Sequence, residues 1–128
     1  MTVKMVTTPL AMVALLGAGA PARQEGAPRI IHMSAERFSF TPSEIRIQAA
    51  EEVELRISSE DTSHGFHVAG TNIGAVVPKR GQGEVQVRVR LERPGRYEFE
   101  CTRMCGAGHD FMRGVLLVTE PTRGAGQP

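Results

Sequence analysis

The chain has no tryptophan, one tyrosine and five phenylalanines among its 128 residues. So few rings cannot fill an interior, and Val, Ile and Leu are expected to supply most of the core. Charge of one sign is also lacking. Fifteen Lys and Arg stand against 14 Asp and Glu, a formal net charge of +1. That balance excludes the basic footprint of a nucleic-acid binder and gives no pull towards an acidic membrane surface. No stretch after residue 28 holds a helical period, and no segment repeats. The length suggests one domain with a core able to fold unaided.

Acid is missing from the first 22 residues, "MTVKMVTTPLAMVALLGAGAPA". Lys4 precedes an apolar run to Ala20, and the stretch closes on the small residues Ala20-Pro21-Ala22. This is the plan of a secretory signal peptide. The rival reading is a weak membrane anchor, but a spanning helix needs roughly 20 apolar residues, and Thr7, Thr8 and Pro9 break this run. Export is the expectation, to the periplasm or the outer face of the cytoplasmic membrane. Removing residues 1–22 takes one lysine and no acid, leaving 14 basic against 14 acidic side chains. Long-range charge is then a poor way to find a partner. Outside the cytosol, a free pair of cysteines tends to oxidise unless something holds it.

Residues 23–28, "RQEGAP", read as linker, and 23–35 as linker and first strand region. Beyond them the pattern is short and alternating. "EIRIQ" puts Ile45 and Ile47 on one face, and "VELRI" does the same with Val53, Leu55 and Ile57. "EVQVRVRL" alternates Val85, Val87, Val89 and Leu91 with Gln86, Arg88 and Arg90. Period two over eight residues predicts a strand with one buried face. "RPG" (93–95) marks a turn, after which "RYEFE" turns Tyr97 and Phe99 inward. "GVLLV" (114–118) predicts a short, continuously apolar strand. Short strands separated by turns make the fold an all-β sandwich or barrel. Parity puts Cys101 on the buried face of Tyr97 and Phe99, so the loop beyond it sits at one end of the sandwich, a common place for a binding site.

That loop, "CTRMCGAGHDFM" from Cys101 to Met112, holds both cysteines, one of four histidines and two of six methionines. Three readings compete. A Cys101–Cys105 disulfide would need Cα atoms about 4.4–6.8 Å apart, would staple almost nothing, and leaves His109 and Met112 unexplained. Zinc prefers four Cys or His ligands, and a thioether serves it poorly. Soft sulfur combined with imidazole suits copper. Cys105-x3-His109-x2-Met112 has the cadence of a one-copper blue site, with a second histidine from "SHGFH" (63–67), where His64 and His67 are placed at the end of the strand "VELRISSED". Cys101 is surplus to a single copper. Two thiolates bridging two coppers account for every soft donor in the loop.

"SHGFHVAGTNIGAVV", "RPGRYEFECTRMCGAGHDFMRGVLLV" and "RFSFTPSEIRIQ" together resemble the CuA domain of cytochrome c oxidase subunit II, nearest to its short ba3-type form, over residues 36–120. The resemblance implies a cupredoxin-like Greek-key β-sandwich, with residues 121–128 as a flexible tail. It implies that Cys101 and Cys105 bridge two copper ions, that His64 and Met112 complete one, and that His109 and the Arg103 carbonyl complete the other. It implies one-electron transfer from a cytochrome c or small cupredoxin to a haem–copper oxidase subunit. Oxidase activity would belong only to the assembled complex, and any membrane association would be peripheral, through that complex. No side chain is set up for acid–base or nucleophilic catalysis. Larger relatives place a Glu where Arg103 stands, and its carboxylate serves a magnesium ion, so no such site is expected here. An exported copper carrier is the competing function. His67 is expected beside the site or at the surface, His32 as structural, and Met104 as a shield against water.

Overall fold

The computed structural model describes residues 26–122. The leader expected over 1–22 and most of the tail expected over 121–128 lie outside the described residues. Nine strands run β1 Arg29–Glu36, β2 Ser39–Thr41, β3 Glu44–Gln48, β4 Val53–Ser59, β5 His64–Val68, β6 Gly74–Val77, β7 Glu84–Val89, β8 Gly95–Glu100 and β9 Arg113–Thr119. The one helical element among the described residues is a 3₁₀ turn, His109–Phe111.

The strands form two sheets, β2-β1-β4-β7 and β3-β9-β8-β5-β6. Pairing is parallel for β1 with β4 and β3 with β9, and antiparallel elsewhere. The expected all-β sandwich is what forms. Its cause is the alternation seen in the sequence. Val53, Leu55 and Ile57 of β4 are fully buried, and Val87 and Val89 of β7 face the same way. Each such side chain contributes about 1.5–3 kcal/mol by leaving water. Leu91 lies beyond the end of β7 yet stays buried, and its carbonyl accepts the Ala50 amide at 2.8 Å.

β1 was legible only as a strand-like region in 23–35, yet it is an inner strand, hydrogen-bonded between β2 and β4. Met33 and Ala35 point into the core. His32 points out and is exposed, which corrects its expected structural role. The few aromatic rings are concentrated. Phe40, Phe66 and Phe99 meet edge-on or tilted, with centroids 5.3–5.9 Å apart, beneath the site end of the sandwich.

β8 and β9 are antiparallel neighbours with Glu100 opposite Arg113. The loop between them leaves and re-enters at adjacent points, and its mouth is tied by the Cys101 amide donating to the Met112 carbonyl at 3.1 Å.

Candidate metal centre

Cys101 lies just past the end of β8, keeps the inward side of Phe99 and is 6% exposed. Cys105 and Met112 are buried with it, so three sulfurs meet inside one loop. The Cys105 sulfur lies 3.8 Å from that of Cys101, 3.8 Å from that of Met112 and 3.7 Å from His109 Nδ1. The Cys101 thiol donates to the Arg103 carbonyl at 3.2 Å. Both cysteines are free thiols, which sets the disulfide reading aside. His109 starts the 3₁₀ turn and is half-buried, the most outward side chain of the set.

The second histidine comes from another element. His64 was expected at the end of the strand that starts at Val53. It is instead the first residue of a separate strand, β5, reached through a turn over residues 60–63. One of its ring nitrogens lies within 4.8 Å of both cysteine sulfurs, and the ring is wholly buried. Two features of the chain allow this approach. A side chain at Gly65 would run into the Thr102 hydroxyl and the backbone nitrogen of Arg103, so only glycine lets β5 press against the loop. Gly106 has φ of +146°, which favours a residue without Cβ, and the Phe38 ring lies where its Cβ would be, 2.9 Å away.

The structure therefore gathers His64, Cys101, the Arg103 carbonyl, Cys105, His109 and Met112 at one place. It leaves out the other candidates. His67 is turned away and donates from Nε2 to the Thr71 carbonyl at 2.8 Å, pinning the β5–β6 turn. Met104 is 78% exposed and shields nothing, contrary to expectation. Phe38 covers the loop in its place, packed against Gly106 and Gly108.

Sequence reading missed three residues that hold the site. Asp61 Oδ1 accepts from His64 Nε2 at 2.6 Å, and its Oδ2 accepts from the Arg37 amide at 2.9 Å. Arg37 Nε in turn donates to the Cys105 carbonyl at 2.6 Å. An Asp three residues before a candidate His was a readable signal. Arg37 and Phe38 had none, because they reach the loop from the far sheet.

Burial and hydrogen bonding set the protonation of the groups around the donors. Burial works upward on the Asp61 carboxyl, but the hydrogen bonds from His64 and from the Arg37 and Thr62 amides outweigh it and hold the group below its ordinary value. Burial, then the adjacent Cys101 thiol, push the Cys105 thiol up to about 11. Among the described residues one buried side-chain nitrogen or oxygen lacks a hydrogen-bond partner, and it is His64 Nδ1. Leaving such an atom unpaired costs about 1–3 kcal/mol. A buried imidazole grouped with two thiols and a thioether is a donor set for a soft, thiophilic metal, which copper satisfies and zinc does not.

Comparison with known proteins agrees. The chain is 40% identical over 92 residues to cytochrome c oxidase subunit 2 of Thermus thermophilus, covering 70% of this chain and 65% of that one. A second subunit 2 sequence from that organism matches at the same identity, with 52% of its length covered. The chain thus spans between half and two-thirds of the length of the curated relatives it matches. Among solved structures, the periplasmic domain of subunit II of cytochrome oxidase from Bradyrhizobium japonicum superposes with a TM-score of 0.66 at 13% identity, over 74% of this chain and 86% of that one. Auracyanin A, a blue copper protein from Chloroflexus aurantiacus, superposes with a TM-score of 0.56 at 15% identity, over 73% of this chain and all of that one. At these identities the two structures speak for the fold alone. Residues 8–118 match the cupredoxin-like domain, and the chain belongs to that family.

Proposed function

We propose that this chain holds two copper ions between Cys101 and Cys105 and serves one-electron transfer as the subunit II-type domain of a haem–copper oxidase. The observation that carries this reading is the packing of two free thiols, 3.8 Å apart, with a buried imidazole that has a ring nitrogen within 4.8 Å of both. His64 and Met112 would complete one copper, and His109 with the Arg103 carbonyl the other. Bound copper supplies the one-electron redox chemistry.

The chain's own work is to fix and shelter the donors. The antiparallel ends of β8 and β9 set the loop's span, β5 brings in His64, and Phe38 closes the side facing Gly106 and Gly108. Rigid donors change little between oxidation states, which keeps rearrangement on electron transfer small. Burial of His64, Cys101, Cys105 and Met112 also argues against a carrier, whose cargo must exchange readily. The 40% identity to an oxidase subunit supports the same choice.

In this reading residues 1–22 direct export, 36–120 with β1 ahead of them carry the copper domain, and the protein works outside the cytoplasmic membrane. No helix among the described residues is long and apolar enough to cross a membrane. The donor is a cytochrome c or small cupredoxin, the acceptor is a haem-bearing oxidase subunit, and oxidase activity belongs to their complex. The test is copper stoichiometry with an EPR spectrum. Two coppers per chain and a signal from one electron shared by both are expected. One copper with a blue-site spectrum, or none, overturns the reading.

A further inference from the structure

Asp61 faces two directions. One carboxylate oxygen holds the His64 ring, in the five-stranded sheet, and the other holds the Arg37 amide, in the turn between β1 and β2 of the four-stranded sheet. Arg37 then grips the Cys105 carbonyl. One carboxylate thus joins both halves of the donor set across the gap between the sheets. It is itself well anchored. Its amide donates to the Ser59 hydroxyl at 3.1 Å, and its carbonyl accepts from the Arg80 amide at 3.0 Å. A carboxylate can only accept, so the imidazole proton sits on Nε2 and the unpartnered Nδ1 keeps its lone pair free for a metal. Without Asp61 the ring is free to rotate or to carry its proton on the wrong nitrogen.

We propose that Asp61 is the positioning residue of the metal centre, holding the His64 ring and, through Arg37, the Cys105 backbone at a fixed separation. The inference rests on the copper reading above. A carboxylate behind a ligating imidazole also makes it a stronger donor, and such partners carry about 10–100-fold in metal affinity. The negative charge favours the more positive, oxidised centre, so it lowers the reduction potential.

The test uses the full chain with Asp61→Ala and Asp61→Asn, in two arms. Without metal, nitrogen-15 NMR reads the His64 ring. The wild type should show an Nε2 proton protected from exchange, which Asp61→Ala loses and Asp61→Asn keeps, since the amide oxygen still accepts. A freely exchanging proton in the wild type overturns the proposal even if no copper binds, so this arm separates its failure from failure of the copper reading. With copper, Asp61→Ala should release the metal to a chelator at about 10–100-fold lower competing strength. Asp61→Asn, nearly the same shape but uncharged, should fold, retain copper within a few-fold and shift to a higher potential. An unchanged potential in Asp61→Asn, or wild-type copper retention in Asp61→Ala, overturns the assignment.

Discussion

Cys105 touches more of the donor set than any other residue, lying within 4 Å of the Cys101 sulfur, His109 Nδ1 and the Met112 sulfur. Cys101 hydrogen-bonds to Cys105 and the Arg103 carbonyl and shares the His64 ring with Cys105. The two thiols are therefore unequal, and their serine variants should differ. Cys101→Ser leaves His64, Cys105, His109 and Met112, the set of a one-copper blue site. It should stay β-rich, bind one copper in place of two and lose the shared-electron EPR signal. Cys105→Ser removes the common neighbour and should lose copper altogether, as metal analysis after desalting would reveal. Wild-type stoichiometry in Cys101→Ser would make Cys101 a bystander. Acid–base behaviour follows from the same packing. Burial, then Cys101, raise the Cys105 thiol from an ordinary 9.0 to about 11 in the folded chain. The folded state then holds a proton that the unfolded state releases, so stability from this group is complete below 9.0 and is lost as pH rises to about 11. Denaturant midpoints of the copper-free protein should fall across that window, and Cys105→Ser should flatten the fall.

At the scale of elements, β5 decides whether a site exists. It carries His64, and it can lie against the loop only because Gly65 has no side chain. A Cβ there would meet the Thr102 hydroxyl and lie 2.9 Å from the backbone nitrogens of Thr102 and Arg103. Gly65→Ala should cost about 1–3 kcal/mol, as overpacking does, and weaken copper binding further by pushing His64 and the loop apart. Adding Thr102→Ala should restore little, because the backbone contacts persist. Full rescue by the double variant, read from thermal melts and copper titration, would place the obstacle in the Thr102 side chain alone. The history of β5 explains what the sequence could reveal. β4 and β7 were legible because each has one polar face, so Val53, Leu55 and Ile57 alternate visibly with polar neighbours, even where Glu54 is buried. β5, "HGFHV", is buried along nearly its whole length and mixes glycine with two histidines, so no period survives. β2 and β6 are three and four residues long, too short to alternate. The loop donors were legible because a short loop between adjacent strands keeps them close in sequence. Arg37 and Phe38 were not, since their roles exist only where the two sheets come together, whereas Asp61 stood three residues before His64 and could have been read.

For the whole molecule, the proposed electron transfer raises the question of which face a redox partner would read. Phe111 is 82% exposed and Met104 78%, and both sit in the loop that holds the cysteines. Val76, opposite Gly65 on β6, and Phe38, packed on Gly106 and Gly108, are exposed beside them. Four of the five large exposed apolar side chains among the described residues thus border the site. The loop's charges are sparse. Arg103 and Arg113 are opposed by Asp110, and all three are exposed. A surface of this kind docks by shedding water from apolar groups, and the few charges mainly adjust orientation. Charged docking would instead be screened steeply, because the Debye length shrinks from about 30 Å to about 8 Å between dilute and physiological salt. The association rate with a reduced cytochrome c, followed by stopped flow, should therefore change little over that range. Phe111→Ser should slow it about tenfold, the cost of losing an exposed aromatic anchor, while leaving copper content and spectrum untouched, because Phe111 lies outside the donor set. A steep fall with salt and no effect of Phe111→Ser would place the docking face elsewhere, on one of the charged outer faces of the sandwich.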